Sequence, residues 1–443
     1  MKSLLPSSEF AHRRNALVAK MGPGSIAIIR SATMMPRNSD VDYPFRQNSD
    51  FYYLTGFDEP NAVLVLINND AERPSRAVLF CQAKDPEMEI WHGYRCGPEA
   101  AVSAYGVDEA FPIDDLDERM PELMNAQERV YYSLGNDAEL DAQVVDWLNT
   151  LRQKSRQGMT APTAMVLLDK LLHEMRLFKS AEEAELMRQA GEISAQAHIR
   201  AMQVCKPGMT EFQLEAEIIH HFAMNGSRQA AYPSIVGGGD NACVLHYTEN
   251  SQPLMDGDLV LIDAGCEHDY YAGDITRTFP VNGTFTAPQK AVYELVLAAQ
   301  EACLELVKPG TPWLAVHDRS VEVLTQGLID LGLLQGDLES LIETGAYREF
   351  YMHRIGHWLG MDVHDVGDYK LGDDWRALEP GMVMTVEPGI YISPQNDKVD
   401  EKWRGIGVRI EDDVLVTESG CEILTASVPK KVSDIEALMA TTK

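Results

Sequence analysis

The sequence lacks the features of a membrane or secreted protein. No stretch approaches the roughly 20 consecutive apolar residues that cross a membrane. The apolar run at the N-terminus is Leu4 and Leu5 alone, followed by Pro6 and Glu9, so no signal peptide is predicted. Cysteines are sparse and none forms a CxxC pair, which favours reduced, mostly buried thiols and a cytoplasmic location. The seven cysteines are Cys81, Cys96, Cys205, Cys243, Cys266, Cys303 and Cys421.

Basic residues are scarce relative to acidic ones. The chain has 38 Lys and Arg against 68 Asp and Glu, which gives a formal net charge of −30. Nucleic acid and anionic membranes would be repelled by this charge, so we expect neither as a partner. Most of the excess acid is expected to form a solvated surface, and the total does not reveal whether a few acids are ligands.

The length of 443 residues predicts two domains. Short apolar runs flanked by turn residues predict an α/β architecture for the first part, with a helix at 140–152. The predicted strands span residues 25–29, 62–67, 77–80 and 130–134. A polar segment with glycine and proline, 154–164, predicts a linker, and a short helix follows at 167–175. We therefore expect an N-terminal α/β domain over 1–172 and a second domain over 173–443.

The second domain begins with a helix signal. Ser180 and Glu183 have the spacing of a capping box, which satisfies the free N–H groups at a helix start. This helix is predicted over 181–204, because Pro207 and Gly208 follow it. A second helix is predicted from about 210 to 225, and the chain then becomes rich in strand patterns.

An internal repeat indicates how this domain is built. DGDLVLIDAG (256–265) and PGMVMTVEPG (380–389) share a turn glycine, an apolar strand, an acid six positions after that glycine and another glycine two positions later. A second acid follows each copy, near an arginine. The acids are Asp263 and Asp274 in the first copy, and Glu387 and Glu411 in the second. Pairing of the copies about a pseudo-twofold axis would bring all four to one centre.

Four acids at one centre would repel one another, and a cation is the natural solution. Any one acid taken alone could instead sit at a strand end, facing solvent or an arginine. The repeated spacing argues against that alternative, because unrelated strand-end acids would not recur with their glycines. An oxygen-rich ligand set favours manganese over a cysteine-rich zinc site, and two ions that share bridging carboxylates would lie about 3.5–4 Å apart.

Four histidines lie on two separate segments of the sequence. His246 stands in VLHYTEN, and MHRIGHWLGMDVHDVG contains His353, His357 and His364. The glycines in the second segment favour strand and loop over helix, so the spacing of its histidines does not by itself identify a ligand. The segment is not an HExxH zinc motif, since Arg354 takes the second position.

These strings together resemble bacterial aminopeptidase P, or Xaa-Pro aminopeptidase, of the pita-bread metallopeptidase family, which is grouped with creatinase, prolidase and methionine aminopeptidase. The resemblance covers almost the whole chain. It includes YPFRQNSDFYYLTGFDEPNAVLVL (43–66), HEMRLFKS (173–180), LHYTEN (245–250), DGDLVLIDAGCEHDYYAGDITRTFPVNG (256–283), HWLGMDVHDVG (357–367), EPGMVMTVEPGIYI (379–392) and GIGVRIEDDVLVTESG (405–420). It implies an N-terminal α/β domain followed by a C-terminal pita-bread domain with a pseudo-twofold repeat.

The resemblance also implies a metal centre and a reaction. Its five ligands to two divalent metal ions, expected to be Mn²⁺, are Asp263, Asp274, His357, Glu387 and Glu411. The implied reaction releases the first residue of peptides whose second residue is proline, through a hydroxide that bridges the ions. Glu387 is expected to take a proton in this reaction. The choice of His357 among the histidines rests on the resemblance alone.

Further roles follow from the same resemblance. His246 and His364 are expected to stabilise the tetrahedral intermediate and the leaving group, and His353 to line the proline subsite. Arg409 matches an active-site arginine of the family, with Asp40 as its expected partner. The resemblance places three more residues at the rim of the site, and it implies a homotetramer or dimer in which Trp91 reaches a neighbouring subunit's site. These three are Arg156, Tyr391 and Trp91.

One departure and three alternatives remain. The family usually has glycine after the first histidine of HGxxH, and Arg354 in its place puts the fine substrate preference in question. Prolidase, which cuts Xaa-Pro dipeptides, shares the metal ligands. Methionine aminopeptidase is disfavoured by the extra N-terminal domain. A peptide-binding module that has lost catalysis is disfavoured because all five ligands are present.

Overall fold

A computed structural model describes residues 3–69 and 74–441 of the chain. The chain divides into two units, Met1–Arg176 and Leu177–Lys443. None of the described helices has the length and apolar character that a membrane span needs. All seven cysteines are described, and each is a free thiol.

The first unit contains seven helices and eight strands among its described residues. The helices are α1 (Ser7–Met21), α2 (Ser49–Thr55), α3 (Pro86–His92), α4 (Pro98–Tyr105), α5 (Leu116–Met124), α6 (Ala138–Gln153) and α7 (Asp169–Leu177), whose last residue belongs to the second unit. The strands are β1 (Ser25–Arg30), β2 (Pro36–Asn38), β3 (Val41–Asp42), β4 (Val63–Asn68), β5 (Arg76–Cys81), β6 (Glu109–Pro112), β7 (Arg129–Tyr132) and β8 (Ala164–Leu167).

Six of these strands form one mixed sheet in the order β6-β5-β4-β1-β7-β8. The central strand β1 pairs antiparallel with β4 and parallel with β7. Near-continuous apolar runs make β1 and β4 almost fully buried, as expected for strands covered on both faces. The four strand predictions and the helix prediction at 140–152 are confirmed within a few residues, since these segments become β1, β4, β5, β7 and α6.

The linker prediction for 154–164 is wrong. Met159 and Ala161 pack against the core of the first unit, and Ala164 pairs with Arg129 at the start of β8. β8 adds an edge strand to the sheet, and its four residues are too short a run to be separated from the polar turn before it. The polar composition of 154–157 marks a surface turn rather than a connection between domains.

The second unit contains six helices and thirteen strands among its described residues. The helices are α8 (Ala181–Val204), α9 (Glu211–Met224), α10 (Ala287–Leu304), α11 (Trp313–Asp330), α12 (Leu338–Glu343) and α13 (Val432–Ala440). The strands are β9 (Gln229–Ala230), β10 (Ile235–Gly238), β11 (Leu259–Asp263), β12 (Cys266–His268), β13 (Tyr271–Ala272), β14 (Thr276–Pro280), β15 (Lys370–Leu371), β16 (Asp374–Trp375), β17 (Val383–Val386), β18 (Gly389–Tyr391), β19 (Gly407–Arg409), β20 (Asp412–Val416) and β21 (Cys421–Ile423).

Helix α8 starts as predicted. The Ser180 hydroxyl accepts a hydrogen bond from the Glu183 amide, and the Glu183 carboxylate accepts one from the Ser180 amide. Helices α8 and α9 occupy the two predicted helical segments. Helices α10 and α11, which pack together in this unit, were not predicted from the sequence.

The sequence repeat is also a structural repeat. In the first copy β11 pairs antiparallel with β14, and in the second β17 pairs antiparallel with β20. Gly257 and Gly381, the turn glycines, have φ of +91° and +90°, which residues with a side chain rarely adopt. The copies meet where the Glu411 amide donates to the Thr276 carbonyl at 3.1 Å. The predicted pseudo-twofold arrangement is therefore present.

A buried ionic network holds the two copies together. Asp412 accepts hydrogen bonds from Arg277 at 2.7 Å, Lys430 at 2.6 Å and Thr425 at 2.8 Å. Both Asp412 and Arg277 are fully buried. These contacts satisfy the carboxylate and neutralise the guanidinium, which water cannot reach.

Asp412→Ala is expected to lower the free energy of unfolding of the second unit by about 3–5 kcal/mol, because it leaves the buried Arg277 charge without its partner. Urea denaturation of the metal-free protein measures this change. The control is Glu422→Ala, which breaks the half-exposed pair with Arg188 and should cost at most about 1 kcal/mol. Equal losses of unfolding free energy in the two variants would contradict the role of Asp412 as the partner of the buried Arg277 charge.

Candidate active site and metal centre

The repeat places the four acids at equivalent strand ends. Asp263 is the last residue of β11 and Glu387 directly follows β17. Asp274 lies two residues before β14 and Glu411 lies directly before β20. All four line one cavity of about 500 Å³. The structure thus brings together the carboxylates that the repeat predicted would converge.

The first pair of acids is joined by a tyrosine. The Tyr232 hydroxyl lies 2.6 Å from Oδ1 of Asp263 and 2.6 Å from Oδ1 of Asp274. A hydroxyl carries one proton, so it donates to one of these oxygens at a time. The other close O–O contact needs either a proton on a carboxyl group or a cation beside it.

The second pair is held by two threonines. Thr276 donates to Oε2 of Glu411 at 2.6 Å, and Thr385 donates to Oε1 of Glu387 at 3.2 Å. Thr276 belongs to β14 of the first copy, and Thr385 belongs to β17 of the second. Strands of both copies therefore hold these two carboxylates in place. This leaves their remaining oxygens facing the cavity.

His357 completes the cluster from a segment that is not helical. The segment runs beside β17, where the Thr385 amide donates to the His357 carbonyl at 3.0 Å. Nε2 of His357 lies 3.3 Å from Oδ2 of Asp274 and 3.6 Å from Oε1 of Glu387, while Nδ1 lies 2.9 Å from the Trp358 carbonyl. Ligand atoms of Asp274, His357 and Glu411 lie within 4.8 Å of one another.

Burial and mutual repulsion shift the acidity of these groups. Burial raises the pKa of Glu387 to about 7, and the neighbouring carboxylates of Asp274 and Asp263 contribute. The pKa values of Asp274 and Glu411 are also raised, first by burial. Burial alone would lower the pKa of His357, but its hydrogen bond with Asp274 and the surrounding charges raise it to about 9.

The cluster fits divalent cations. Asp274 and Glu411 are buried and Asp263 and Glu387 are half-buried, and the cations in direct contact with the cluster are Arg409, which donates to Oδ2 of Asp263 at 2.6 Å, and His357. Burial, followed by mutual repulsion, raises the pKa values of three of these acids, so their ionised forms are disfavoured unless a cation is present. Asp263, Asp274, His357, Glu387 and Glu411 supply the oxygen-rich donors, with one nitrogen, that hard divalent ions prefer.

Two residues that line the cavity, Arg409 and His353, share one hydrogen-bonding partner, the buried Tyr391. Arg409 donates to the Tyr391 hydroxyl at 2.9 Å, and Nε2 of His353 lies 2.9 Å from the same oxygen. Burial lowers the pKa of His353 to about 3, so its imidazole is neutral. The ring of His364 lies 4.3 Å from that of His357, and His246 lines the same cavity.

The remaining predicted site residues belong to the first unit. Asp40 lies in the turn between β2 and β3, Trp91 lies in α3, and Arg156 lies in the turn after α6. All three side chains are exposed, and Trp91 is 78% exposed. Their roles at the active site stay predictions.

Sequence reasoning missed three side chains that contact the acids. Tyr232, Thr276 and Thr385 each donate a hydroxyl hydrogen bond to a cluster carboxylate. Tyr232 lies outside both repeated strings and has no motif of its own. The two threonines stand within two residues of Asp274 and Glu387, so their place on the acid-bearing strands was an available signal.

Comparison with known proteins assigns the chain to a family. The model of metallopeptidase family M24 matches residues 185–418, and that of the aminopeptidase P N-terminal domain matches residues 10–131. The chain belongs to metallopeptidase family M24. The predicted family and fold class are therefore confirmed, with an N-terminal aminopeptidase P domain followed by the pita-bread M24 domain.

Members of this family resemble the chain over nearly its full length. Xaa-Pro aminopeptidase of Escherichia coli is 52% identical over 99% of this chain and 98% of its own. The Pseudomonas aeruginosa aminopeptidase PepP structure matches with a TM-score of 0.97 and 56% identity, covering 100% of this chain and 99% of that one. Zinc-substituted E. coli aminopeptidase P in complex with product matches with a TM-score of 0.97 and 51% identity, covering 99% of each chain.

Glu387 and His357 are expected to make the stability of the metal-free protein depend on pH. The folded-state pKa values of Glu387 and His357, about 7 and 9, lie above the ordinary 4.5 and 6.5. A group with a raised folded pKa stabilises the fold below its unfolded pKa, and this contribution is lost as the pH rises through the folded value. The metal-free M24 protein is therefore expected to lose stability between about pH 4.5 and 9.

We expect the increase in Tm on saturation with Mn²⁺ to be larger at about pH 7.5 than at about pH 5, because fewer protons then compete with the cation for Glu387. Differential scanning calorimetry with and without metal measures both values. An increment that is the same at both pH values would contradict the proposed protonation.

Proposed function

We propose that this protein is a metal-dependent aminopeptidase that hydrolyses the bond between an N-terminal residue and a penultimate proline. The observation that carries the proposal is the convergence of the four repeat acids and His357 on one cavity in an M24 chain. Relatives that align over nearly the whole chain are named Xaa-Pro aminopeptidase, which favours this specificity over that of a prolidase.

The proposed metal ligands are Asp263, Asp274, His357, Glu387 and Glu411. When bound, two divalent ions supply Lewis-acid chemistry, activating a water molecule near neutral pH and polarising the substrate carbonyl. The cluster is carboxylate-rich, so we propose Mn²⁺ as the ion in the active enzyme. Tyr232, Thr276 and Thr385 orient the carboxylates, and the Trp358 carbonyl fixes the ring of His357.

Glu387 is the proposed proton acceptor in the reaction. Its carboxyl group faces the cavity, and its proton affinity lies in the range where a general base or acid works at neutral pH. The neutral imidazoles of His353 and His364 can accept or donate hydrogen bonds to the substrate without adding charge. We propose that His246 and His364 stabilise the reacting carbonyl and the leaving group.

When proline follows the scissile bond, the substrate has no backbone N–H group at that position. The subsite for proline therefore needs no hydrogen-bond acceptor for that group. His353 and Tyr391 offer ring faces, packed 5.5 Å apart between centroids, and Arg409 holds the tyrosine hydroxyl. We propose that His353 lines the proline subsite and that Tyr391 and Arg409 shape it. Together these residues form a rigid wall that the proline ring can contact.

Several finer points belong to the same proposal. We propose a domain boundary at 172/173, a homotetramer or dimer, and a cytoplasmic enzyme without nucleic-acid or membrane partners. Asp40 is the proposed partner of Arg409, and Arg156 and Trp91 are proposed to contact substrate at the site rim, Trp91 from a neighbouring subunit. The net charge of −30 and the free thiols support the location and the absence of anionic partners.

The activity is tested with metal-stripped protein reloaded with Mn²⁺ and given three peptides. We expect release of the first residue from Ala-Pro-Ala, and none above background from Ala-Ala-Ala. Cleavage of the dipeptide Ala-Pro and not of Ala-Pro-Ala would point to a prolidase. No cleavage of any peptide by the metal-loaded protein would support a binding module. Amino-acid release is measured by chromatography, with a chelator as control.

Glu387→Gln is expected to lower kcat by at least about a hundredfold while the fold is kept, because it removes the proposed proton acceptor and a carboxylate ligand. The control is Glu379→Gln, an exposed acid that precedes the same strand, with a side chain 52% exposed. Circular dichroism and metal analysis accompany the kinetics. Full activity of the Glu387 variant would exclude the assigned role.

A further inference from the structure

A second cavity lies beside the active-site cavity and shares lining residues with it. It has a volume of about 450 Å³, and His353 and Arg354 line both cavities. Residues of α11 and of the segment 347–352 form its other walls. The two cavities therefore adjoin at His353, the residue that is proposed to contact proline.

Two arginines give this cavity a positive charge in a strongly acidic protein. Arg354 and Arg348 line it, and neither guanidinium forms a hydrogen bond or an ion pair with any described residue. The guanidinium carbon of Arg354 lies 5.8 Å from the centre of the Trp375 ring, and that of Arg348 lies 5.9 Å from the centre of the Tyr347 ring. The aromatic rings position both cations without neutralising them.

The wall between the arginines holds an unused hydrogen-bonding group. His317 is 7% exposed, and its Nδ1 atom is buried without a hydrogen-bond partner among the described residues. Burial and the charges of Arg354 and Arg348 lower its pKa to about 4, so the ring is neutral at physiological pH. The neutral ring therefore adds no charge that would offset the two arginines.

Asp318 is the one anionic side chain among the residues that line this cavity. It is exposed and lies more than 4 Å from both guanidinium groups, since it forms no ion pair. The positive charge of Arg354 nevertheless reaches it, because that arginine lowers the Asp318 pKa against the larger effect of burial, which raises it. Two cations and one anion leave the cavity with a net positive charge.

We propose that the second cavity is a subsite for a carboxylate on the residue that follows proline, with Arg354 as its main specificity-determining residue. The inference rests on the proposed aminopeptidase function. The carboxylate has two sources, the side chain of Glu or Asp at the third position and the C-terminal group of a tripeptide. Arg348 and His317 complete the subsite, and Asp318 opposes it.

The test compares kcat/KM for the amidated peptides Ala-Pro-Glu-Ala and Ala-Pro-Gln-Ala, which differ in one charge at constant shape. We expect the Glu peptide to be preferred about three- to tenfold, because the ion pair between its carboxylate and Arg354 is partly exposed. The difference should be mainly in KM, because this ion pair acts on substrate binding. The preference should fall in high salt, which screens the charges. A second comparison, Ala-Pro-Ala against its amide, shows whether a terminal carboxylate is recognised at the same place.

Four variants isolate Arg354. In Arg354→Gln the Glu-to-Gln ratio should fall toward one, and in Arg354→Lys most of it should remain. Asp318→Asn should raise the ratio, because the opposing charge is removed. Arg319→Gln removes a cation of α11, the helix that carries Asp318, and this cation pairs with Glu322 outside the cavity. This variant should leave the ratio unchanged.

In the unaltered enzyme, ratios near one in both comparisons, or a preference that Arg354→Gln leaves unchanged, would overturn the subsite while the aminopeptidase function stands. Loss of cleavage for every Xaa-Pro peptide in the unaltered enzyme would instead overturn the proposed function, and the subsite with it. Preference confined to the Glu side chain or to the free C-terminus supports the subsite and identifies which carboxylate it receives.

Discussion

Electrostatic repulsion among four closely placed carboxylates is the constraint on which this structure depends. Asp263, Asp274, Glu387 and Glu411 share one cavity, with Arg409 and His357 as their cationic neighbours. Without further positive charge, such a cluster is stable only when some acids hold protons, as the raised pKa values of Glu387 and Glu411 indicate. Divalent cations relieve the repulsion and can activate water. The same clustering of acids therefore disfavours their ionised forms in the metal-free protein and supplies the ligands for the metal ions.

The surrounding architecture holds these charges in place. Two antiparallel strand pairs present acids at matching ends, and the hydrogen bond between Glu411 and Thr276 joins one pair to the other. Asp412, the neighbour of Glu411, is fixed in turn by Arg277 and Lys430 below the site. Because the acids lie at the ends of paired strands or within two residues of them, the backbone hydrogen bonds of those strands fix their positions. Such rigid placement is what a preorganised metal centre requires.

The acid cluster was predictable from sequence because its spacing occurs twice. A glycine, an apolar strand and an acid recur in the same order, and each element has a physical reason to be there, as the positive φ of Gly257 and Gly381 shows. His357 was not predictable from the residues themselves, since its segment lies in irregular structure where spacing does not fix direction. Tyr232 was missed because its contacts with Asp263 and Asp274 are made across distant parts of the chain. Short edge elements such as β8 carry too few residues for a clear pattern, which led to the wrong linker.

Anomalous diffraction from crystals grown with Mn²⁺ would locate the ions that the repeat is proposed to bind. We expect two anomalous peaks per chain, about 3.5–4 Å apart, with Asp274 and Glu411 contacting both and Asp263, His357 and Glu387 contacting one or the other. A single peak, or peaks that lie away from these five residues, would contradict this proposal.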